Sequence, residues 1–84
     1  MSNNITFGRV VKGSEISTTI ELDKPIKSAR AGCGVCTRLK YESGKNNIQI
    51  TYKAVDKRGI WSKGVTVEYM DNSTERITYT VEVV

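Results

Sequence analysis

The amino-acid sequence predicts an all-β fold, a small antiparallel β-sandwich of about seven strands that takes up residues 1–84 as a single domain. Apolar and polar residues alternate with a period of two rather than 3.6, which indicates strands rather than helices. Turn-forming residues separate the alternating runs roughly every 8–12 positions, which is the spacing found in sandwiches. An 84-residue chain has room for one small hydrophobic core.

The strands are assigned in chain order from these runs. The first and third runs, residues 5–11 and 26–33, are irregular but rich in β-branched or small residues. The other five alternate well enough to define an inward face, and they cover residues 15–23, 37–41, 47–53, 61–69 and 77–83. Glycine, proline, asparagine and aspartate occupy the gaps, where they favour turns. Lys63 is out of place at an inward position of the sixth run.

The inward faces of the two sheets are expected to meet in a shared core about 10 Å thick. Burying one large aliphatic or aromatic side chain stabilises a fold by roughly 1.5–3 kcal/mol. We expect the centre of the core at Ile20, Ile50, Val67 and Val81. Trp61, the only tryptophan, is in phase with the apolar positions of its strand and is expected at the edge of the core.

The composition argues against an enzyme. The chain has 13 basic and nine acidic residues, a net charge of +4 and no histidine. It therefore lacks the commonest general base and metal ligand, and no carboxylate pair or glycine-rich phosphate loop stands out. We expect no catalytic residue and no cofactor. The basic residues are spread along the chain, which is typical of an ordinary solvated surface with a mild preference for acidic partners.

Both cysteines lie in one short stretch, Cys33-Gly34-Val35-Cys36, between two strand-like runs. Four interpretations are open. A redox pair needs a helix to lower the pKa of its first thiol, and none follows here. A metal site needs two further ligands, which only a second chain could supply. A disulfide is feasible at this spacing. Two small buried thiols are favoured, at a corner where Gly32 and Gly34 allow the chain to pass between the sheets.

The sequence shows no feature of export or membrane insertion. Residues 1–7 contain no basic start followed by an apolar run, so we expect no secretion signal and synthesis in the cytoplasm. No apolar run approaches the ~20 residues that a membrane-spanning helix needs. A reducing cytoplasm disfavours a permanent disulfide, and it leaves Asn72-Ser73-Thr74 as a turn rather than a glycosylation site.

Several short motifs, in the same order and at similar spacing, resemble a small bacterial immunoglobulin-like family. Its members carry a Phe-Gly near the first strand, then a Gly-Glu step, then a Cys-Gly-Cys-Thr corner. The matching stretches here are Phe7-Gly8, Gly13-Ser14-Glu15 and residues 33–37, with two residues between the cysteines where the family has one. The family is related to Hydin-type and major-sperm-protein-like modules. The resemblance spans nearly the whole chain and implies an immunoglobulin-like sandwich.

A freestanding module of this type, without export, is similar to the immunoglobulin-like accessory proteins that tailed phages place on their heads, necks and tails. This similarity is one of fold and context, and fold alone does not fix function. It implies a non-enzymatic structural protein of the virion that binds a larger assembly such as a capsid or tail. We expect no membrane partner and no nucleic acid partner, and a homo-oligomer is compatible with this reading.

We expect the contacts of such a module in its turns and on one exposed strand face. The turn residues are Lys12, Lys57, Arg58 and Asn72, and the exposed face carries Arg38 and Lys40. The last strand, residues 75–84, is expected to be free to pair with a neighbour because no polar tail follows it.

Two other functions stay open. A cysteine-dependent module would bind a metal or a redox partner through Cys33 and Cys36. A weak nucleic-acid binder would use basic residues around the turn at 56–59, next to two aromatic side chains. These residues are Lys53, Lys57, Arg58 and Lys63, with Tyr52 and Trp61.

Overall fold

The computed structural model describes residues 2–84, with side chains from residue 4 onwards. Seven strands account for the regular structure, and within the described range no residue is helical. The strands are β1 (Ser2–Val10), β2 (Glu15–Glu21), β3 (Ile26–Ala31), β4 (Thr37–Lys40), β5 (Asn47–Lys53), β6 (Gly59–Tyr69) and β7 (Thr74–Val83). The predicted seven-stranded sandwich is confirmed, because each strand coincides with one of the alternating or β-branched runs.

The strands form two sheets with the orders β1-β7-β6-β3 and β2-β5-β4. An immunoglobulin sandwich likewise groups its second, fourth and fifth strands in one sheet and its third, sixth and seventh in the other. Here the first strand joins the second group. Four of the five strand pairings are antiparallel, whereas β1 lies parallel to β7 and its register shifts between Thr6 and Gly8.

The parallel β1–β7 pairing corrects one expectation. β7 lies between β1 and β6 and is paired along both of its sides. The last strand is therefore not free to pair with a neighbour. Local alternation identified it as a strand but could not show that the first strand of the chain occupies its other edge.

The core lies between the two sheets, and its largest fully buried side chains are Tyr52 and Tyr79. Three of the four residues expected at its centre, namely Ile50, Val67 and Val81, are fully buried. The fourth, Ile20, is only half-buried, because β2 is an edge strand of the smaller sheet. Trp61 is partly buried and packs against the core, which confirms its expected place at the edge.

The strand connections gather at the two ends of an elongated molecule, about 39 Å long and 21 × 18 Å in cross-section. The corner end consists of residues 11–14, 32–36 and 54–58, beside the last residue of β7. Its segments are joined by backbone hydrogen bonds, including the N–H of Gly13 donating to the carbonyl of Ala54. The hairpin end consists of residues 22–25, 41–46 and 70–73, which are joined in the same way.

At each end of the molecule, a turn uses a residue with positive φ. Gly13 turns the chain from β1 into β2 with φ 93°, and Asn72 turns it from β6 into β7 with φ 68°. The turn expected at Asn72 is therefore confirmed. Gly32 and Gly34 do not have positive φ, so the expectation that glycine freedom makes the bend at the corner is wrong. The structure contains no helix that is long and apolar enough to cross a membrane, within its described residues.

Candidate interaction surface

The stretch that holds both cysteines carries the chain from β3 in the larger sheet to β4 in the smaller one, so the expected sheet-to-sheet corner is confirmed. Cys33 and Cys36 form a disulfide there, with their Cα atoms 5.7 Å apart. The favoured interpretation as two free buried thiols is therefore wrong. The corner brings the two Cα atoms within the distance that a disulfide requires. From the sequence spacing alone, a disulfide was only one of several possible interpretations.

The disulfide leaves the corner without metal ligands. A sulfur atom bonded to another sulfur is not the thiolate that binds a metal. Across residues 2–84, no three or more cysteine, aspartate or glutamate side chains cluster in a way that could hold an ion. The corner instead continues into the core. Cys36 is buried, and the hydroxyls of Thr37 and Tyr79 share a buried hydrogen bond of 2.5 Å.

Beside the corner, a partly buried polar network holds the β5–β6 connection against the core. The hydroxyl of Tyr52 donates to Asp56 Oδ2 at 2.6 Å, and Lys63 Nζ lies 3.2 Å from the same oxygen. Lys63 Nζ also lies 5.1 Å from the centre of the Trp61 ring, a cation–π contact. The indole N–H of Trp61 donates to the carbonyl of Lys57 at 2.6 Å.

This network explains the charged residue at an inward strand position. Lys63 faces inward like its neighbours in phase, and Asp56 supplies the countercharge that this position needs. Burial, together with the hydrogen bond to Asp56, raises the pKa of Tyr52 well above its usual value. Each polar group of the network has a partner within it. The network therefore orders the β5–β6 connection.

Exposed apolar side chains concentrate at the corner end, in its connections and in the strand residues directly beside them. Six large apolar residues are exposed in the described part of the chain, and only Met70 belongs to the hairpin end. The other five are Val11, Val35, Val55, Ile60 and Val84. Val35, inside the disulfide loop, is 83% exposed, and Ile60, on the outer side of β6, is 73% exposed. Exposed apolar residues scattered singly are normal, but a group gathered from four segments points to a contact surface.

Basic side chains without an ionic partner lie at the same end of the molecule as this apolar group. The three acidic residues near the corner end are all engaged, since Glu15 pairs with Arg38, Asp56 with Lys63 and Glu82 with Arg9. By contrast, four exposed basic residues in or directly beside the corner-end connections make no ion pair with the described part of the chain: Lys12, Lys53, Lys57 and Arg58. The corner end therefore combines exposed apolar residues with unneutralised positive charge.

The residues expected to make contacts fall on three different surfaces. Lys12, Lys57 and Arg58 come together at the corner end. Asn72 lies at the opposite, hairpin end. Arg38 and Lys40 lie on the outer face of the smaller sheet, where Arg38 Nη2 is 2.5 Å from Glu15 Oε1. The structure therefore brings half of the expected set into one surface.

The basic and aromatic grouping expected of a weak nucleic-acid binder does not form as one surface. Tyr52 is fully buried and Lys63 is engaged by Asp56, so neither faces outward. Sequence reasoning missed the apolar members of the corner end. The sequence did contain a sign of their exposure. Val11, Val55 and Ile60 each stand directly beside an inward residue, so alternation would place them on the outer side.

No protein-family model matches the chain, and no curated protein matches it significantly. Among solved structures, the chain is similar to part of a 2,6-sialyltransferase from the Vibrionaceae bacterium Photobacterium sp. JT-ISH-224, in a ternary complex with CMP and lactose. The TM-score is 0.49 and the sequence identity 13%, over 100% of this chain and 18% of the sialyltransferase. The chain thus spans less than a fifth of that enzyme's length.

Proposed function

We propose that the chain is a non-enzymatic, immunoglobulin-like interaction module that binds a protein partner through its corner end. The observation that carries this proposal is the gathering at that end of five of the six large apolar side chains that are exposed among the described residues, together with unpaired basic residues. An apolar centre with a polar, charged rim is the usual anatomy of a protein–protein interface.

The corner end is also held in one arrangement before any partner arrives. The Cys33–Cys36 disulfide closes one of its segments. The N–H of Lys53 donates to the carbonyl of Cys36 at 2.7 Å, and the N–H of Gly13 donates to the carbonyl of Ala54 at 2.9 Å. A surface that is already ordered loses less conformational entropy on binding. Its positive charge favours an acidic partner face and speeds the encounter.

The partner in this proposal is a larger protein assembly, and the protein is an accessory structural component of a phage virion, on the capsid, neck or tail. This part rests on the resemblance of the sequence to immunoglobulin-like phage accessory proteins. In this view the chain is made in the cytoplasm and becomes associated with the virion during assembly, without membrane, nucleic acid or cofactor.

Co-sedimentation with purified particles of the phage that encodes the chain tests the proposal. We expect the chain to sediment with the particles and Ile60→Asp to reduce the bound fraction, because a carboxylate would be buried at the interface. Thr19→Asp is the matched control, since it adds the same charge to an exposed strand residue away from the corner end. Circular dichroism confirms that both variants fold. Absence of binding, or equal losses from both variants, would overturn the proposal.

A further inference from the structure

The two ends of the molecule carry opposite charge. We count the charged side chains in the connections of each end together with two strand residues on either side. The corner end (residues 9–16, 30–38, 52–60 and 82–84) has seven basic and three acidic residues. The hairpin end (residues 20–27, 39–48 and 68–75) has six acidic and four basic residues. The chain is therefore polarised along its 39 Å length.

The hairpin end also presents the features that the corner end would need in a partner. Among the described residues, its one exposed large apolar side chain is Met70. Three exposed carboxylates, those of Glu21, Asp23 and Glu42, make no ion pair within the part of the chain that the structure describes. Three exposed lysines of the same end, Lys27, Lys40 and Lys45, make none either, so its acidic character comes from the overall excess of carboxylates. The connections that carry these residues are bound together, since the N–H of Met70 donates to the carbonyl of Pro25 and that of Leu22 to the carbonyl of Asn46.

We propose that a second copy of this chain docks its acidic hairpin end on the basic, apolar corner end, so that copies associate head to tail. This proposal rests on the corner end being an interaction surface, and it gives that surface a second occupant, another copy of the chain. Unpaired Lys12, Lys57 and Arg58 would face the unpaired Glu21, Asp23 and Glu42 of the next copy. Because the two surfaces differ and lie at opposite ends, the contact is heterologous and continues as a line of copies rather than closing as a dimer.

The size of the ends limits the area of this contact. A cross-section of 21 × 18 Å limits the contact to roughly 400 Å² per copy, about half the area of a standard stable interface. We therefore expect weak, concentration-dependent association that salt reduces, because exposed charges are screened within about 10 Å at 0.1 M ionic strength. Lines of copies would persist where the chain is locally concentrated, as on a repeating assembly.

Sedimentation velocity across a concentration series, at low and high salt, tests the proposal with two charge-reversed variants. The corner variant is Lys57→Glu/Arg58→Glu and the hairpin variant is Asp23→Lys/Glu42→Lys. We expect the unmodified chain to associate progressively at low salt, and each variant alone to associate about tenfold more weakly. An equimolar mixture of the two variants is expected to associate again, since each then offers the charge that the other lacks.

Three outcomes would overturn head-to-tail association. They are a chain that stays monomeric at low salt and high concentration, a hairpin variant that associates like the unmodified chain, and a mixture that does not recover association. The second outcome would indicate contact between two corner ends. The proposed function is tested separately. If the chain stays monomeric but its binding to particles still depends on Ile60, the corner end remains the partner surface and only head-to-tail association is overturned.

Discussion

The residue-scale feature that best tests the structure is Lys63, a charged side chain in a strand position where alternation expects an apolar one. Its side chain is 17% exposed and that of Asp56 is 20% exposed, with 3.2 Å between Nζ and Oδ2. Removing one partner of such a pair leaves the other charge poorly solvated. Replacing both partners with neutral groups removes that penalty, so the effects of the two substitutions are expected to be coupled.

We predict that Asp56→Asn lowers the free energy of unfolding by about 1–3 kcal/mol, because it leaves Lys63 without a countercharge inside the sandwich. Adding Lys63→Met is expected to restore most of that loss. Urea unfolding of the single and double variants measures both effects. Glu82→Gln is the control, because the Arg9–Glu82 pair is 78% and 41% exposed and such pairs contribute at most about 1 kcal/mol. Equal losses from Asp56→Asn and Glu82→Gln would contradict the prediction.

At the scale of the element, the corner between β3 and β4 is stabilised by a short covalent loop. Residues 33 and 36 enclose a four-residue ring, whose closure restricts the unfolded chain only modestly. We predict that Cys33→Ala/Cys36→Ala still folds, with a free energy of unfolding lower by about 2 kcal/mol from this entropy alone. Chemical denaturation and circular dichroism measure the stability and the fold.

Thiol labelling of the native, unreduced protein provides the independent check on the corner. The unmodified chain is expected to show no reactive thiol before reduction, because both cysteines are in the disulfide. Labelling of two thiols without a reductant would contradict the disulfide. It would restore the interpretation of the corner as a pair of free cysteines.

The strands themselves were predictable from the sequence, whereas the strands with which each one pairs were not. Alternation is a local property, and it identified β2, β5 and β7 because their inward residues repeat every second position. Whether a strand is central or at an edge depends on pairing across the chain. This is why Ile20 on edge strand β2 was placed too centrally and β7 was expected to have a free side. The disulfide also depends on three-dimensional distance.

The candidate surface was predictable only in part, for a similar reason. Its basic members stand in turns, so Lys12, Lys57 and Arg58 were expected to be exposed. Its apolar members come from separate segments of the chain. None of them belongs to a local apolar pattern that would mark a surface, as Val35, which stands between two small residues, illustrates. Only the fold brings them to the same end, and only there do they form a group.

At the scale of the whole molecule, two of the four open strand edges, those of β1 and β4, are poor sites for association. β4 has only four residues and carries Arg38 and Lys40, while β1 contains the register shift at Gly8. Short strands, charged side chains and bulges are features that discourage pairing between sheet edges. The remaining large apolar surface lies at the ends. This is consistent with association end to end, along the axis on which the charge is polarised.

The whole fold also determines how the protein responds to alkaline pH. Burial is the largest cause that raises the pKa values of Tyr52, Tyr69 and Tyr79, and hydrogen bonds to Asp56 and Glu75 add to it for the first two. In the unfolded chain these phenols ionise near pH 10. The folded state therefore binds more protons above that pH. The stability contributed by these groups is fully present below about pH 10 and is lost as the pH rises further.

We predict that the buried tyrosines ionise together with unfolding rather than one by one in the folded protein. Tyrosinate absorbance and circular dichroism, followed in the same alkaline titration, are expected to show coincident transitions above about pH 10. Tyr79→Phe provides the control, because the variant keeps the ring in the core while removing one of the three raised pKa values. If ionisation of the buried tyrosines requires unfolding, the absorbance step of this variant is smaller by one phenol. That step is still expected to coincide with the circular dichroism transition. A gradual rise in absorbance near pH 10 that exceeds the contribution of one of the four tyrosines, with unchanged circular dichroism, would show instead that these phenols reach solvent in the folded sandwich.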